Sequence, residues 1–351
     1  MTLTVLSVAY PFAPVIADPV GGAEQVLAQL DRAIVAAGHR SLVLAQAGST
    51  PAGELIEVPA PPGPLDDAAR AQGHAAVRAR IADVLAREHI DVVHMHGVDF
   101  DAYLPPPGPP CLVTLHLPFG FERPGALPPR RPDTWLVPVS ASQARSAPPG
   151  LALLDPIDNG VDLDLFTERP RRRAFALCLG RLCHEKGFHL ALDAAREADV
   201  PLLIAGQLYP YPEHQAYFAR EIRPRLDARR RFLGPVVGPA KRRLLAAARC
   251  VLIPSLAPET SSLVAREALA AGTPVVAYPA GALPEAVTPG RTGFLVEDVP
   301  GMAQAIRRAP EIDPEACRAE ARARFDVRRT TGAYLDLYRR LAAPAHARHA
   351  L

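Results

Sequence analysis

The sequence lacks several features that would assign it to a particular environment. No apolar run reaches the roughly 18 residues of a membrane-spanning helix, and the N-terminus lacks the basic segment of a secretory signal peptide. The formal net charge is only +2, and no run of Lys and Arg is interleaved with aromatic residues as in a strand-binding groove. We therefore expect a cytoplasmic protein that binds no nucleic acid.

Metal-binding and dinucleotide-binding patterns are also missing. The five cysteines form an odd, scattered set, which favours buried free thiols in a reducing compartment. Cys178 and Cys183 are close in sequence, but no second pair completes a ligand set, so we predict no metal. No Gly-x-Gly-x-x-Gly follows the first predicted strand, which argues against a nicotinamide-dependent dehydrogenase.

Short Val, Ile and Leu runs alternate with helical stretches along most of the chain. This alternation is typical of parallel sheets covered on both faces, and the length predicts two domains. The first series of predicted strands comprises residues 3–9, 41–45, 91–94, 111–115, 135–139 and 153–157, with helices near 22–37, 68–88 and 141–147. A second series predicts strands at 174–180, 201–205, 231–236, 250–253 and 274–278. The predicted fold class is α/β, with two facing doubly wound, Rossmann-like domains.

The stretch at 165–173 is polar, basic and broken by proline, so it predicts the join between the domains. We predict a first domain at 1–167, a second at 168–325 and a C-terminal helix within 326–344. That last helix carries apolar and aromatic residues on one face, which we expect to be buried. They are Tyr334, Leu337, Tyr338 and Leu341.

Two glutamates separated by seven residues mark the most informative segment, residues 254–277. A short apolar strand is followed there by a helix, which Thr260 or Ser261 is expected to cap. The N-terminus of such a helix offers unpaired N–H groups to a phosphate. Glu259 lies ahead of the helix and Glu267 about two turns inside it, so one carboxylate could hold a ribose and the other a sugar.

This segment resembles the donor-binding signature of the retaining glycosyltransferases of family 4. There too, Glu, seven residues and Glu follow a Pro-Ser strand end and precede a Gly-Thr-Pro-Val-Val-Ala strand. The resemblance implies the GT-B architecture, with the C-terminal helix returning to the first domain and a nucleoside-diphosphate sugar bound by the second. It implies that Glu259 holds the sugar, that Glu267 holds the ribose and that the backbone amides of residues 262–264 hold the diphosphate. The donor-binding residues it implies are Gly22, Gly206, Ser261, Ser262, Leu263, Val264 and Glu267.

Family members usually carry Pro-Phe-Gly after the first glutamate, where this chain has Thr260-Ser261-Ser262. These side chains face the sugar and diphosphate in the family, whereas backbone amides do not depend on side-chain identity. The resemblance therefore leaves the identity of the donor sugar open.

The loop from Gly180 to Gly187 resembles the family's Gly-Arg-x-x-x-x-Lys-Gly motif. Arg181 and Lys186 would stabilise the charge that develops on the departing diphosphate, in place of a metal ion. His116 ends a predicted strand of the first domain, and the resemblance implies that it lies under the donor sugar. The catalytic residues implied are His116, Glu259, Arg181 and Lys186.

Weaker signals point to an acceptor side in the first domain. Gly21 and Gly22 fall between the first strand and the first helix, at the carboxyl end of the sheet where doubly wound folds bind ligands. In the family a glycine pair at this position approaches the donor diphosphate or the acceptor. His96 and Asp99 follow a neighbouring strand and are expected to border the acceptor site.

The resulting hypothesis is a metal-independent, retaining hexosyltransferase of carbohydrate biosynthesis. Its donor substrate would be a UDP-sugar or GDP-sugar, its acceptor a hydroxyl group of a glycan, a lipid-linked compound or a small molecule, and it would need no cofactor. A phosphorylase or synthase on the same fold, an inactive sugar-nucleotide-binding protein and an epimerase of related fold remain alternatives. The cationic helix near residues 70–88 leaves open a peripheral contact with the inner face of the membrane.

Overall fold

The computed structural model describes residues 2–17, 19, 21–61, 63, 65–170 and 174–344. Residues 171–173 of the predicted linker lie outside the described residues. The chain forms two compact units. One runs from the N-terminus to Asp158 and resumes at Arg328, and the other spans Asn159–Val327.

Each unit is built around a six-stranded parallel sheet, which confirms the predicted fold class. In chain order the strands are β1 (Thr4–Val8), β2 (Arg40–Gln46), β3 (Glu54–Val58), β4 (Val92–Met95), β5 (Cys111–Leu115), β6 (Thr134–Pro138), β7 (Ala176–Leu179), β8 (Leu202–Ala205), β9 (Arg230–Phe232), β10 (Cys250–Ile253), β11 (Val275–Ala277) and β12 (Gly293–Leu295). The α-helices are α1 (Gly22–Ala36), α2 (Asp67–Arg87), α3 (Ala141–Arg145), α4 (Phe188–Glu197), α5 (Pro212–Tyr217), α6 (Gly238–Ala247), α7 (Leu263–Ala270), α8 (Leu283–Ala286), α9 (Val299–Arg308), α10 (Pro314–Arg324) and α11 (Val327–Ala342).

The two sheets share one topology. Their strand orders are β3-β2-β1-β4-β5-β6 and β12-β11-β10-β7-β8-β9. In each, the first strand of the unit pairs with the fourth at the centre, where the chain reverses the direction in which it adds strands. Doubly wound sheets bind ligands at this switch point, outside the carboxyl ends of the strands. The loops after β1 and β4, and those after β7 and β10, are thus the places to look for a site.

The central strands are almost wholly buried because helices cover both faces of each sheet. Every residue of β4, β5, β7 and β10 is buried. The five cysteines are free and buried, as predicted, with three of them in these strands. The polar residues of these four strands, His94 and Thr114, therefore need hydrogen-bond partners inside the protein.

The division between the units differs from the predicted join at 167–168. Val161 pairs with Asp326 in an isolated parallel bridge, and the side chains of Val161 and Phe166 pack in the core of the second unit. Residues 159–166 are thus held by the second unit, and the chain passes between the units at Asp158 and Asn159. The linker-like composition further along marks a surface segment, not the point where contacts are fewest.

Helix α11 packs in the first unit with its aromatic face inward. Tyr334, Leu337, Tyr338 and Leu341 are buried, as the helical periodicity predicts. The Tyr338 hydroxyl lies 2.7 Å from His94 Nδ1, and the Tyr334 hydroxyl lies 2.9 Å from Thr114 Oγ1. The last helix is thereby fixed to the polar positions of β4 and β5.

Candidate functional site

At the switch point of the second unit, the loops after β7 and β10 are joined through their backbones. The Leu256 N–H donates to the carbonyl of Glu185 over 2.8 Å. Gly187 has φ +62, and a Cβ there would lie 2.1 Å from the Pro254 carbonyl oxygen, so only glycine permits this approach. The Gly-Arg-x-x-x-x-Lys-Gly loop and the segment ahead of Glu259 therefore lie side by side.

This backbone arrangement brings Lys186 and Glu259 together. Lys186 Nζ lies 2.6 Å from Glu259 Oε1, and Ser255 Oγ donates to the same oxygen over 2.5 Å. Burial alone would raise the pKa of Glu259, but the charge and hydrogen bond of Lys186, the Ser255 hydroxyl and the charge of Arg181 outweigh it and lower that pKa. Glu259 is therefore a carboxylate that accepts hydrogen bonds and has no proton to donate.

Helix α7 begins later than the sequence suggested, and its cap is different. Its N-cap is Ser262, in the left-handed conformation with φ +52, and no side chain caps the helix. The prediction that Thr260 or Ser261 caps it is therefore wrong. The left-handed turn takes the place of a side-chain cap, and the first N–H groups of the helix, including those of Leu263 and Val264, have no intrahelical partner.

A second polar group, the Ser261 hydroxyl, directly precedes these amides in the chain. Ser261 is only 3% exposed, and its Oγ has no hydrogen-bond partner among the described residues. An unpaired buried hydroxyl costs free energy unless something else binds it. Unpaired amides and a buried hydroxyl directly before a helix N-terminus form a site suited to an anion.

Glu267 lies just over one turn inside α7, because the helix starts at Leu263. The residue is 4% exposed, and its carboxylate pairs with Lys241 of α6, whose Nζ lies 3.0 Å from Oε1. Lys241 is a residue that motif reasoning missed. The only two lysines of the sequence, Lys186 and Lys241, thus pair with the two glutamates of the signature. The rarity of lysine was the signal that could have identified Lys241, because all other members of the Lys and Arg set are arginines.

The other predicted residues of this unit lie at the ends of the neighbouring strands. Gly206 directly follows β8 with φ +157, and a Cβ there would meet the Gly180 carbonyl oxygen at 1.7 Å, so the backbones following β7 and β8 touch. Arg181 follows Gly180, is exposed, and is close enough for its charge to act on Glu259. The structure therefore groups Arg181, Lys186, Glu259 and the start of α7 at one edge of the sheet.

In the first unit, α1 starts directly at Gly22, with Gly21 as an N-cap that has no side chain to bind the helix amides. Gly21 is extended, with φ −83, so the predicted glycine turn is not a left-handed one. A Cβ on Gly21 would instead collide with the carboxylate of Glu24, 1.9 Å away. A larger residue at position 21 would therefore require the Glu24 side chain, which is buried over the helix start, to move.

His116 follows β5 and is held in place by the backbone around it. The side-chain amide of Gln143 donates to the carbonyls of Leu115 and Leu117, over 3.0 and 2.8 Å. The His116 ring stacks on His96, with His96 Nδ1 3.3 Å from His116 Nε2. His96 Nε2 in turn lies 3.1 Å from His94 Nδ1, so three histidines form a continuous line.

The three imidazoles are neutral at ordinary pH. Burial lowers the pKa of His94 and His96 well below the usual value, and the neighbouring imidazoles lower it further. Burial also lowers the pKa of His116, to about 4. A buried cluster of three charged rings would be strongly repulsive, whereas three neutral rings can hydrogen-bond to one another.

Asp99 is not hydrogen-bonded to His96, with which the sequence paired it. Its carboxylate lies 2.6 Å from His74 Nε2 of α2 and accepts from the Tyr103 hydroxyl over 2.6 Å. His96 faces His94 and His116 instead. These contacts give Asp99 a role in attaching α2 to the sheet.

Helix α2 carries the cationic face that suggested membrane contact. Arg78 donates to the Ala102 carbonyl and Arg80 to that of Glu57, while Arg87 pairs with Asp83. These three arginine side chains thus bind groups within the first unit. Across the parts of the chain that the structure describes, no helix has the length and apolarity to cross a membrane.

Within the same residues, no cluster of three or more His, Cys, Asp or Glu side chains is arranged to hold a metal ion.

Family models match both units. The model for glycosyl transferases group 1 matches residues 173–311, and the model for glycosyltransferase family 4 matches residues 20–147. The chain is 36% identical over 213 residues to the D-inositol 3-phosphate glycosyltransferase of Mycobacterium avium (strain 104), a match that covers 54% of this chain and 50% of that protein. The chain spans about half the length of the curated relatives it matches.

Solved structures match over nearly the whole chain. The sucrose-phosphate synthase from Thermosynechococcus elongatus superposes with a TM-score of 0.76 at 20% identity, covering 97% of this chain and 99% of that one. The Anabaena protein HepE, solved in complex with UDP-glucose, gives a TM-score of 0.73 at 20% identity, with coverages of 95% and 99%. At this level of identity the likeness shows a shared fold.

Proposed function

We propose that this chain, which matches the family 4 glycosyltransferase model in its first unit and the model for glycosyl transferases group 1 in its second, transfers a sugar from a nucleoside-diphosphate sugar to a hydroxyl group of an acceptor. The motif resemblance noted in the sequence is thereby confirmed at the level of the family. One observation carries the proposal: the Lys186–Glu259 pair lies at the switch point of the second unit, directly ahead of the uncapped start of α7.

The anion-binding half of the site fits a diphosphate. The amides of residues 262–264 and the unpaired Ser261 hydroxyl can donate to phosphate oxygens. Lys186 has three N–H donors, so it can keep its bond to Glu259 and still bind phosphate. Arg181 adds a second positive charge, and we propose that the two cations stabilise the leaving group without a metal ion.

The two carboxylates are assigned to the two sugar rings of the donor, the transferred sugar and the ribose. Glu259, held ionised by Lys186 and Ser255, would accept hydrogen bonds from hydroxyls of the transferred sugar. Glu267 would hold the ribose, because the two oxygens of a carboxylate can accept several hydrogen bonds at once. His116, Gly21 and Gly22 of the first unit, with His96 behind His116, are the residues we assign to the sugar and acceptor side.

The proposed reaction exchanges one bond at the anomeric carbon for another. The bond from the anomeric carbon to the diphosphate oxygen breaks, and the nucleoside diphosphate leaves with the electron pair. The acceptor oxygen forms the new bond and loses its proton to the leaving phosphate or to water. We propose that the anomeric configuration is retained, as in the family that the motifs resemble.

Slow hydrolysis of a panel of UDP-, GDP-, ADP- and dTDP-sugars tests the proposal without knowledge of the acceptor. We expect one base to be preferred, a UDP-sugar or GDP-sugar first, with release of nucleoside diphosphate and of a sugar whose first-formed anomer matches the donor. A strict requirement for inorganic phosphate would indicate a phosphorylase, and tight binding without turnover would indicate an inactive binding protein. Failure of every nucleoside diphosphate to bind would overturn the proposal.

A further inference from the structure

Three aromatic side chains form a cluster in the second unit that has no task in the reaction described above. Tyr209 and Tyr211, in the loop after β8, stack with their ring centroids 5.9 Å apart. The ring of His214, in α5, lies 5.1 Å from that of Tyr211 and nearly perpendicular to it, and 6.3 Å from that of Tyr209. Each ring of this aromatic cluster therefore contacts the other two.

The backbone places the aromatic cluster at the edge of the sheet that carries Arg181. The N–H of Leu182 donates to the carbonyl of Gln207 over 3.0 Å, so the loop after β8 is bonded to the loop after β7. The N–H of Gly206 donates to the carbonyl of Gly234 over 2.9 Å, which joins the start of the same loop to the loop after β9. The aromatic cluster thus borders the candidate donor site.

His214 contains a buried polar atom without a partner. The residue is 8% exposed, and its Nδ1 has no hydrogen-bond partner among the described residues. Burial lowers the pKa of His214, and the positive charge of Arg181 lowers it further. The charges of Glu213 and Glu185 oppose this but are smaller causes, so the ring is neutral at ordinary pH. An unpaired buried nitrogen costs free energy, which a ligand that hydrogen-bonds to it would recover.

The surroundings of His214 suit a flat ligand with polar edges. Tyr209 and Tyr211 are half-buried, so part of each ring remains accessible. In the loop after β9, Leu233 and Val237 are 37% and 44% exposed, and they add apolar surface to the same edge. Aromatic and apolar side chains around one buried hydrogen-bonding group are the usual composition of a site for a nucleobase.

The position of Glu267 indicates which part of the donor would reach the aromatic cluster. Glu267, which we assign to the ribose, pairs with Lys241 of α6. Helix α6 begins at Gly238, a few residues after β9, and β8 and β9 lie on the far side of β7 from β10. A base attached to that ribose would therefore extend towards the loops after β8 and β9, away from Lys186 and Glu259.

We propose that the aromatic cluster binds the base of the nucleotide, with Tyr209 and Tyr211 against its face and His214 Nδ1 hydrogen-bonded to its edge. The assignment rests on the proposed function, because it takes the ligand to be a nucleoside diphosphate. Nucleobases carry both donors and acceptors along their edges, so either tautomer of His214 can find a partner. A base with the wrong group at that point leaves Nδ1 unpaired, which makes His214 a determinant of base specificity.

Long-range ¹H–¹⁵N correlation spectra of the full chain, labelled with ¹⁵N-histidine, test the contact. His214→Phe keeps an aromatic ring and identifies the His214 signals by their loss, and His214→Asn serves if that variant does not fold. Among UDP, GDP, ADP and dTDP, the tightest binder should shift the His214 Nδ1 signal much more than pyrophosphate, which has no base. An unmoved signal with that nucleotide bound, or equal shifts with pyrophosphate, would overturn the proposal.

Calorimetry with the same probes measures the contribution of each ring. His214→Phe should weaken binding of the preferred nucleotide by about 2–12-fold, the loss expected for one hydrogen bond. Tyr211→Leu should weaken it by about 5–150-fold through lost stacking, whereas Tyr211→Phe keeps the ring and should bind as the wild type does. The affinity for pyrophosphate should not change in any of them. His89→Phe, at an exposed histidine of the first unit, is the control and should change nothing.

The outcomes separate this inference from the proposed function. If none of the four nucleoside diphosphates binds, the proposed function fails, and the base contact fails with it. If one binds while His214→Phe and Tyr211→Leu retain the wild-type affinity, the base contact alone is wrong and the donor site stands. Equal weakening of nucleotide and pyrophosphate in these variants would also overturn recognition of the base.

Discussion

Lys186 Nζ lies 2.6 Å from Glu259 Oε1, and this ion pair joins the loop after β7 to the segment that leads into α7. The Lys186 side chain is 26% exposed and that of Glu259 is 11% exposed, so the pair is shielded but still reachable by a ligand. The pair therefore connects the group that would stabilise the leaving diphosphate to the group that would hold the sugar.

Replacing Lys186 with Met should lower kcat for donor hydrolysis by about 10²–10³-fold, the cost typical of removing one preorganised charge-stabilising group. Lys186→Arg should retain more activity because it keeps the charge. Arg231→Met, which removes an exposed cation of β9, is the control and should leave the rate unchanged. A Lys186→Met enzyme with the wild-type kcat would remove Lys186 from the mechanism.

The Lys186 and Glu259 substitutions should not be additive. Once Lys186→Met has removed the cation, Glu259 loses the partner that keeps its pKa low, so Glu259→Gln should cost less than it does alone. We expect a coupling free energy of about 0.5–3 kcal/mol, calculated as RT ln(kcat/KM) around a double-mutant cycle. A coupling of zero would show that the two residues act independently.

The Lys241–Glu267 pair should matter more for stability than exposed ion pairs do. Lys241→Met leaves the buried Glu267 carboxylate without this partner, which should lower the free energy of unfolding by about 3–5 kcal/mol. Arg40→Met, which breaks exposed pairs with Glu54 and Glu88, should cost about 0–1 kcal/mol. Urea denaturation of the two variants gives the comparison, and equal losses would contradict the role assigned to burial.

Acid should destabilise the first unit through its histidines. Because the folded pKa of His116 is lowered to about 4, the unfolded chain binds this proton first as the pH falls below about 6.5. The neutral ring's contribution is complete above pH 6.5 and is lost between there and pH 4, at about 1.4 kcal/mol per pH unit for each such histidine. His116→Gln should therefore flatten the dependence of unfolding free energy on pH in this window. An unchanged slope in that variant would contradict the lowered pKa.

Ser262 occupies a left-handed backbone position at which the resembled family usually has glycine. Glycine adopts this conformation without strain, whereas a β-branched side chain resists it. Ser262→Gly should raise the free energy of unfolding by up to about 1 kcal/mol, and Ser262→Val should lower it by at least as much. Nucleotide affinity should survive in Ser262→Gly, because the proposed contact is the backbone amide. Greater stability of Ser262→Val than of the wild type would contradict the left-handed geometry.

Buried apolar strands were the most predictable part of the fold. Residues 111–115 and 250–253 were predicted with the bounds that the structure gives, because continuous apolar runs between polar turns leave little choice. The edge strand β3 was not predicted, because Glu54–Val58 is partly exposed and two of its five residues are glutamates. The predicted strand at 153–157 is irregular: Leu154 and Ile157 donate to β6 carbonyls, but Pro156 between them has no N–H for a ladder.

In the candidate site, sequence spacing located the residues but not their partners. The two motifs put Lys186 and Glu259 after separate predicted strands, and in the structure these strands, β7 and β10, are neighbours in the sheet. Lys241, Ser255 and the histidine line depend on which side chains meet across helices and strands far apart in sequence. Periodicity carries no such information, so these contacts became visible only in the folded chain.

The central claim is that a nucleoside diphosphate binds beside Lys186 at the start of α7. With only two lysines in the sequence, a chain labelled with ¹³C,¹⁵N-lysine gives two side-chain signals, which Lys186→Arg assigns. Titration with UDP or GDP should shift the Lys186 signal most, to saturation at the Kd measured by calorimetry. If the Lys186 signal stays in place at saturating nucleotide, or if neither nucleotide binds, the proposed donor site is wrong.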